Sequence, residues 1–264
     1  MLFWSAHLTS VLSPWTAIAA LFPNSRFLTG WQPVIALHIP DGLLNLPVMT
    51  VTWAMTIGFL AIALKQVERE YQERTVPLMG VCAAFIFAAQ MINFPIPGGS
   101  SGHLLGGTLA GALLGPWAGS LVMAVVFMVQ GFIFQDGGIT VMGANIVNMG
   151  LIGTFLGYYL FRTLRHWIGH HQLRGMVVAT AIAAWTSVVV ASIACAFQLA
   201  LSGTAELTVS LIAMIGWHVM IGLGEALITV STVTFIWRTR SDLFYRPPHR
   251  ISIPQRVSHL RSHQ

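Results

Sequence analysis

The sequence predicts an all-α integral membrane protein, a bundle of about seven transmembrane helices, and three observations carry that prediction. Of 264 residues, 55% are hydrophobic and 8% are charged, far below the roughly 25% charged residues of a soluble domain. The apolar runs are long enough to span a bilayer. The basic residues sit in short clusters between those runs, the pattern of a topology signal. The formal charge of +5 does not point to nucleic acid, because no basic stripe carries interleaved aromatics. Cys82 and Cys195 each lie inside an apolar run, so neither a disulfide framework nor a CxxC site is available.

Residues 1–36 are apolar in part but interrupted by Pro14, Pro23 and Pro33, with no Lys or Arg before Arg26. A secretory signal begins with a positive n-region, so this is a poor one, although Val34-Ile35-Ala36 offers a small-residue cleavage site. Apolar spans follow at about Leu46 to Leu64, Val76 to Phe94, Leu104 to Gly115, Trp117 to Phe134, Ile139 to Phe161, Met176 to Leu201 and Val209 to Trp237. Most are near the ~20 residues a spanning helix needs. The domain organisation expected is an N-terminal extension (1–36), a transmembrane metal-binding domain (37–240) and a basic tail (241–264).

Lys65, Arg69 and Arg74 fall after the first span, Arg162, Arg165 and Arg174 after the fifth, and six arginines from Arg238 to Arg261 at the end of the chain. The positive-inside rule makes all three regions cytoplasmic, the C-terminus included, and puts His38 and His103 on the outer side of the cell inner membrane. The third span is short, about 18 Å as a helix, yet charge parity requires it to cross. Its Gly107, Gly111 and Gly115, with Gly119 beyond, form a stripe every four residues that lets helices approach closely. His103 continues that stripe at its outer end.

Two stretches carry chemistry: Leu37-His38-Ile39-Pro40-Asp41-Gly42 and Pro97-Gly98-Gly99-Ser100-Ser101-Gly102-His103. Neutral imidazole ligates nickel, cobalt, copper and zinc, so two histidines on one side of a bundle are a candidate metal site. On spacing alone the signal is weak, since ten histidines are present. Were Leu37 the first residue, its amine, the His38 amide nitrogen and the His38 ring nitrogen would bind one metal through a five- and a six-membered chelate ring. His103 would complete a plane. Such an all-nitrogen plane suits Ni(II), Cu(II) or low-spin Co(II) better than Zn(II) or Mg(II).

The stretch LHIPDGLL, the run VPLMGVCAAFIFAAQMINFPIPGGSSGHLLGG, then LLGPWAG, QDGGITVMGANIVNMG and IGLGEALIT closely resemble the CbiM/NikM family, the substrate-capturing membrane subunits of cobalt and nickel energy-coupling factor (ECF) ABC transporters. The resemblance runs from Leu37 to about Trp237. It implies no enzymatic activity and no permanently bound cofactor, with Co(II) or Ni(II) as the transported substrate, for cobalamin synthesis or for urease and hydrogenase. It implies metal ligands at Leu37, His38 and His103. The partners implied are an ECF transmembrane coupling subunit, two ABC ATPase subunits and a small accessory membrane subunit.

The departure from the family is at the front, where the pattern opens with Met-His and this chain carries 36 residues and then Leu. Cleavage after Ala36, or initiation at codon 37 with Leu37 read as Met, would free the amine. The second is preferred because residues 1–36 lack a basic n-region. Retention of the extension as an eighth helix would remove one of the four nitrogens.

Other polar residues have two readings each. Asp41-Gly42 reads as a turn before the first span, with a role in holding His38 as the alternative. Asn145 and Asn148 in the fifth span, and His218 and Glu225 in the seventh, lie where polar side chains face the interior. Asn145, Asn148 and His218 are candidate partners that orient a ligand, whereas Glu225 is read as structural. Gly99-Ser100-Ser101-Gly102 also fits GxSG, so an intramembrane serine protease using Ser101 and His218 is a competing function. Against it, Ser100 or Ser101 can cap the helix expected to begin near His103. A stand-alone metal carrier or channel is the other competitor. No HExxH and no GxxxxGK[ST] occur, so the chain has no ATP site of its own.

Overall fold

The computed structural model describes residues 37–70, 75–92, 94–96, 100–169 and 172–245, with the backbone alone for 94–96 and 100–102. The extension 1–36 and the tail beyond Tyr245 lie outside the described residues. Six helices follow one another: α1 (Leu46–Glu70), α2 (Thr75–Gln90), α3 (Gly107–Ile133), α4 (Met142–Ile168), α5 (Leu173–Leu201) and α6 (Leu207–Thr239). Between α2 and α3, strands β1 (Phe94–Ile96) and β2 (Ser100–Gly102) form a short antiparallel ribbon. All the helices but α2, which has 16 residues, are long and apolar enough to cross a membrane.

Among the described residues, five such helices stand where seven spans were expected. The third and fourth expected spans are the two parts of α3, which breaks at Gly115 with φ 76° and ψ 170°. Only glycine reaches that backbone region readily, and Pro116, which has no N–H, follows as the first residue of the new segment. The two parts fold onto one another: a Cβ on Gly119 would lie 3.0 Å from the carbonyl carbon and oxygen of Ala110. In a straight helix those residues would be about 13 Å apart.

The glycine stripe packs as expected at Gly107 and Gly111 but not at Gly115, which is the breaking point. A Cβ on Gly107 would meet the Gly153 carbonyl carbon at 2.7 Å, and one on Gly111 the Thr154 oxygen at 3.0 Å. Thus α3 lies backbone to backbone on α4, a contact that larger side chains would prevent. Within α4 the chain widens to a π-helical stretch, Ile146–Ile152, just below the residues that touch the site.

The bundle has two distinct ends. At one, Asn45 caps α1 by accepting from the Val48 N–H at 3.0 Å and donates to the Leu201 carbonyl at the end of α5. At the other, the Tyr245 hydroxyl donates to Glu70 at 3.1 Å and the Tyr245 N–H donates to the Ala112 carbonyl. Chain directions place Lys65 and Arg69, Arg162 and Arg165, and Arg238 at this second end. Buried Phe244 and Tyr245 fasten the segment after α6 onto the helices, so the bundle extends past residue 240.

Candidate metal centre

Leu37, His38 and Ile39 enter the bundle and are buried. Their backbone polar groups need partners there, and α4 and the loop before it supply them. The Asn145 side chain accepts from the Ile39 N–H at 2.9 Å and donates to the Ile39 carbonyl at 3.1 Å. That carbonyl also accepts from the Gly138 N–H at 2.9 Å. Asp41 accepts from the backbone N–H groups of Ile139 (3.2 Å) and Thr140 (2.8 Å) and from the Thr140 hydroxyl. The Thr140 hydroxyl is the main reason its carboxyl lies below the ordinary value. Asp41-Gly42 is a turn, with Gly42 at φ 88°, and it also fixes the entering stretch.

His103 arrives from the opposite wall. The helix it was expected to start begins only at Gly107, and its N-cap is Gly106 with no side-chain cap. His103 is therefore in a loop rather than on the glycine stripe, and Ser100 and Ser101 stand in β2 rather than at a cap. Glu225 takes over: its carboxylate accepts from the Leu105 N–H at 2.8 Å and the Gly106 N–H at 2.9 Å. A carboxylate from α6 thus satisfies amides at the start of α3, where helix geometry leaves donors free. The Leu105 carbonyl accepts from Gln90 at 2.6 Å, and Gln90 accepts in turn from Gln130. Glu225 lies fourteen residues before Thr239, about 21 Å along the helix, so the loop descends well into the bundle.

The two histidines meet edge to face, with ring centroids 4.5 Å apart, and Phe127 closes one side at 5.5 Å from His38. Both rings are held through Nδ1: His38 donates to the Asp136 carbonyl at 3.2 Å and His103 to the Leu104 carbonyl at 2.6 Å. In that tautomer Nε2 keeps the lone pair, and Nε2 of His38 is buried with no hydrogen-bond partner among the described residues. Asp136 joins them, with Oδ1 3.6 Å from His38 Nδ1. One donor atom from each of His38, His103 and Asp136 lies within 4.8 Å of the others. Burial, and then the neighbouring His103, hold His38 well below its ordinary pKa of 6.5. Burial also lowers His103, opposed by its bond to the Leu104 carbonyl and by Asp136.

The other expected site residues divide. Asn145 grips the residue after His38, as described. Asn148 instead pairs with Gln198 of α5 through two amide hydrogen bonds of 2.8 and 2.7 Å, so it joins two helices rather than orienting a ligand ring. His218 is buried and donates from Nδ1 to the Met214 carbonyl of its own helix at 2.6 Å. The side chain of Ser101 lies outside the described residues. Asp136, Gly137, Gln90 and Gln130 were not singled out. Three further polar residues inside apolar spans, Gln90, Gln130 and Gln198, carry the same signal as Asn145.

Residues 38–243 match the family CbiM, described as the cobalt uptake substrate-specific transmembrane region. The chain belongs to the CbiM family. It is 39% identical over 209 residues to a provisionally named fused nickel transport protein, NikMN, of Archaeoglobus fulgidus, covering 78% of this chain and 68% of that one. The cobalt transport protein CbiM of Sorangium cellulosum is 29% identical over 80% of this chain and 95% of its own. The crystal structure of a truncated transition metal transporter superposes with a TM-score of 0.69 at 32% identity, covering 76% of this chain and 98% of that one. This CbiM chain is accordingly a multi-pass membrane protein of the cobalt and nickel transport type.

Proposed function

We propose that this CbiM-family chain captures Co(II) or Ni(II) as the substrate-specificity subunit of an ECF ABC transporter. The observation that carries the proposal is the convergence of His38 and His103 in a buried pocket, their ring centroids 4.5 Å apart. A transition metal ion is the ligand that two converging imidazoles suit, and in the six-membered chelate it engages His38 through Nδ1, taking the place of the proton now shared with the Asp136 carbonyl. Leu37, once it carries a free amine, supplies that amine beside the His38 amide and ring, and His103 completes a four-nitrogen plane for Ni(II) or low-spin Co(II). Leu37 itself is buried against the core, as a residue held inside the bundle must be.

The pocket opens to the outside and the basic end, with the C-terminus, faces the cytoplasm of the inner membrane. A transmembrane coupling subunit, two ATPase subunits and a small accessory membrane subunit complete the transporter. The decisive experiment is uptake of labelled cobalt or nickel by cells carrying the chain with its partner ATPase intact or inactivated. Uptake that depends on the ATPase supports the proposal; uptake that persists without it makes the chain a stand-alone carrier. The homologues named as metal transport proteins give the protease reading no support.

A further inference from the structure

The four-nitrogen plane requires a free amine at residue 37, yet in the 264-residue chain the Leu37 nitrogen is in a peptide bond. We propose that Asp136 is a third metal-ligating residue, and that His38, His103 and Asp136 hold Co(II) in the chain that retains residues 1–36. The proposal rests on the capture reading above and names a second ligand set for the same pocket.

The geometry of the loop before α4 supports it. Gln135 has φ 55° and Gly137 has φ 91°, so the backbone reverses on both sides of Asp136. A non-glycine residue at positive φ is uncommon and marks a conformation the surroundings impose. The Asp136 N–H donates to the Gln130 carbonyl at 3.0 Å, which pins the reversal to the end of α3. The result is that Asp136 presents both its carbonyl and its carboxylate to the His38 ring. Gly137 permits the approach: a Cβ there would lie 3.1 Å from His38 Nδ1 and 3.0 Å from Asn145 Nδ2.

The separations fit one ion after a small closure. With ligand bonds of about 2.0–2.2 Å, two donors on one metal are at most about 4.4 Å apart. The three donors lie within 4.8 Å of one another, and Asp136 Oδ1 is 3.6 Å from His38 Nδ1, which ligates once the ion replaces the proton it shares with the Asp136 carbonyl. The carboxylate brings negative charge into a pocket that otherwise offers two neutral imidazoles, offsetting the desolvation of a divalent cation. Its side chain is 37% exposed while His38 is 6% exposed, so it is the group that first meets an entering ion. Two nitrogens and one oxygen leave open coordination positions, a set that accepts high-spin Co(II) and Zn(II) as readily as Ni(II).

The test uses Co(II) alone as the probe, on two purified chains of verified mass: the full 264 residues, and a shortened chain that begins at residue 37 with Met. Equilibrium dialysis is run on each chain as wild type, Asp136→Asn and His103→Ala. The expected result is that Asp136→Asn weakens cobalt binding by the full chain by at least the ~10–100-fold that loss of an outer partner costs. In the shortened chain, where the free amine completes the site, the same substitution is expected to cost cobalt affinity less than it does in the full chain, and an unchanged melting transition in detergent shows that the variant folds. Wild-type cobalt binding by the full-chain Asp136→Asn protein, with His103→Ala abolishing it, overturns the proposal and leaves the capture reading standing. A full chain that binds no cobalt while the shortened one does has the same consequence. Binding in both chains that is indifferent to His103→Ala overturns the capture reading and the proposal together.

Discussion

The side-chain amide of Asn145 closes a two-point clamp on the backbone of Ile39, accepting from its N–H at 2.9 Å and donating to its carbonyl at 3.1 Å. The clamped residue directly follows His38, so a side chain on α4 fixes how far the entering stretch reaches toward His103. Replacing Asn145 by Ala removes both bonds and leaves buried backbone groups unpaired, at a cost of about 1–3 kcal/mol each. The expected outcome is metal affinity lower by about 10–100-fold at retained helical content. Affinity is measured by dialysis and helicity by far-UV circular dichroism.

Glu225 does the corresponding work for the His103 loop. Glu225→Ala is predicted to weaken metal binding and to lower thermal stability, because the Leu105 and Gly106 amides it serves are orphaned together. Glu225→Gln keeps one acceptor oxygen and should recover part of both losses. If Glu225 instead acted only through its charge, Gln would behave like Ala in the same melting and binding measurements.

The backbone contact between α3 and α4 gives a stability prediction with its own control. Gly107→Ala places a methyl 2.7 Å from the Gly153 carbonyl carbon and 2.9 Å from the Thr154 nitrogen, neither of which can swing away. It should destabilise the bundle by about 1–3 kcal/mol or more. Gly58→Ala in α1 meets nothing within 4 Å and replaces glycine in a helix interior, so it should be neutral or stabilising by up to about 1 kcal/mol. Thermal melts of the two variants in detergent compare them directly.

Acid should act on the pocket in a defined direction. The pKa values of His38 and His103 both lie below 6.5 in the folded chain, chiefly through burial. A histidine depressed in this way contributes stability that is fully present above its unfolded value of 6.5 and is lost as pH falls through the folded value. Ring-proton NMR titration of the metal-free protein is therefore expected to give midpoints below 6.5 for both rings, and stability should fall as pH drops below 6.5. A midpoint at or above 6.5 for His38 would mean that its ring is solvated.

Much of this was legible in the sequence, for identifiable reasons. The long apolar runs gave α5 and α6 within three residues and placed α1 and α4 but ended them six and seven residues early, because hydropathy reports apolar contact and falls off where basic residues enter the last turns. His38 and His103 stood out because both fall on the outer side by charge parity and lie in stretches that resemble the family, whereas spacing alone among ten histidines is a weak signal. The double nature of α3 was visible only in part. Gly115-Pro116 was read as a boundary between spans, but not as a break that lays Gly119 against Ala110. The start of α3 was placed too early because its cap comes from Glu225, 119 residues away from Gly106, and local pattern holds no such information. Asp136 escaped for a related reason: one carboxylate in a glycine-rich loop reads as a turn, and only the fold sets it against His38.

The most direct measurement is the number of metal ions retained by the purified chain, wild type and His103→Ala, after equilibration with Ni(II) or Co(II) and exhaustive dialysis, read by elemental mass spectrometry. The account predicts that the wild-type chain holds the ion in a site that His103→Ala empties while the variant melts as a folded protein. Equal metal retention by the folded variant would contradict it, because the pocket formed by His38 and His103 would then not be where the ion is held.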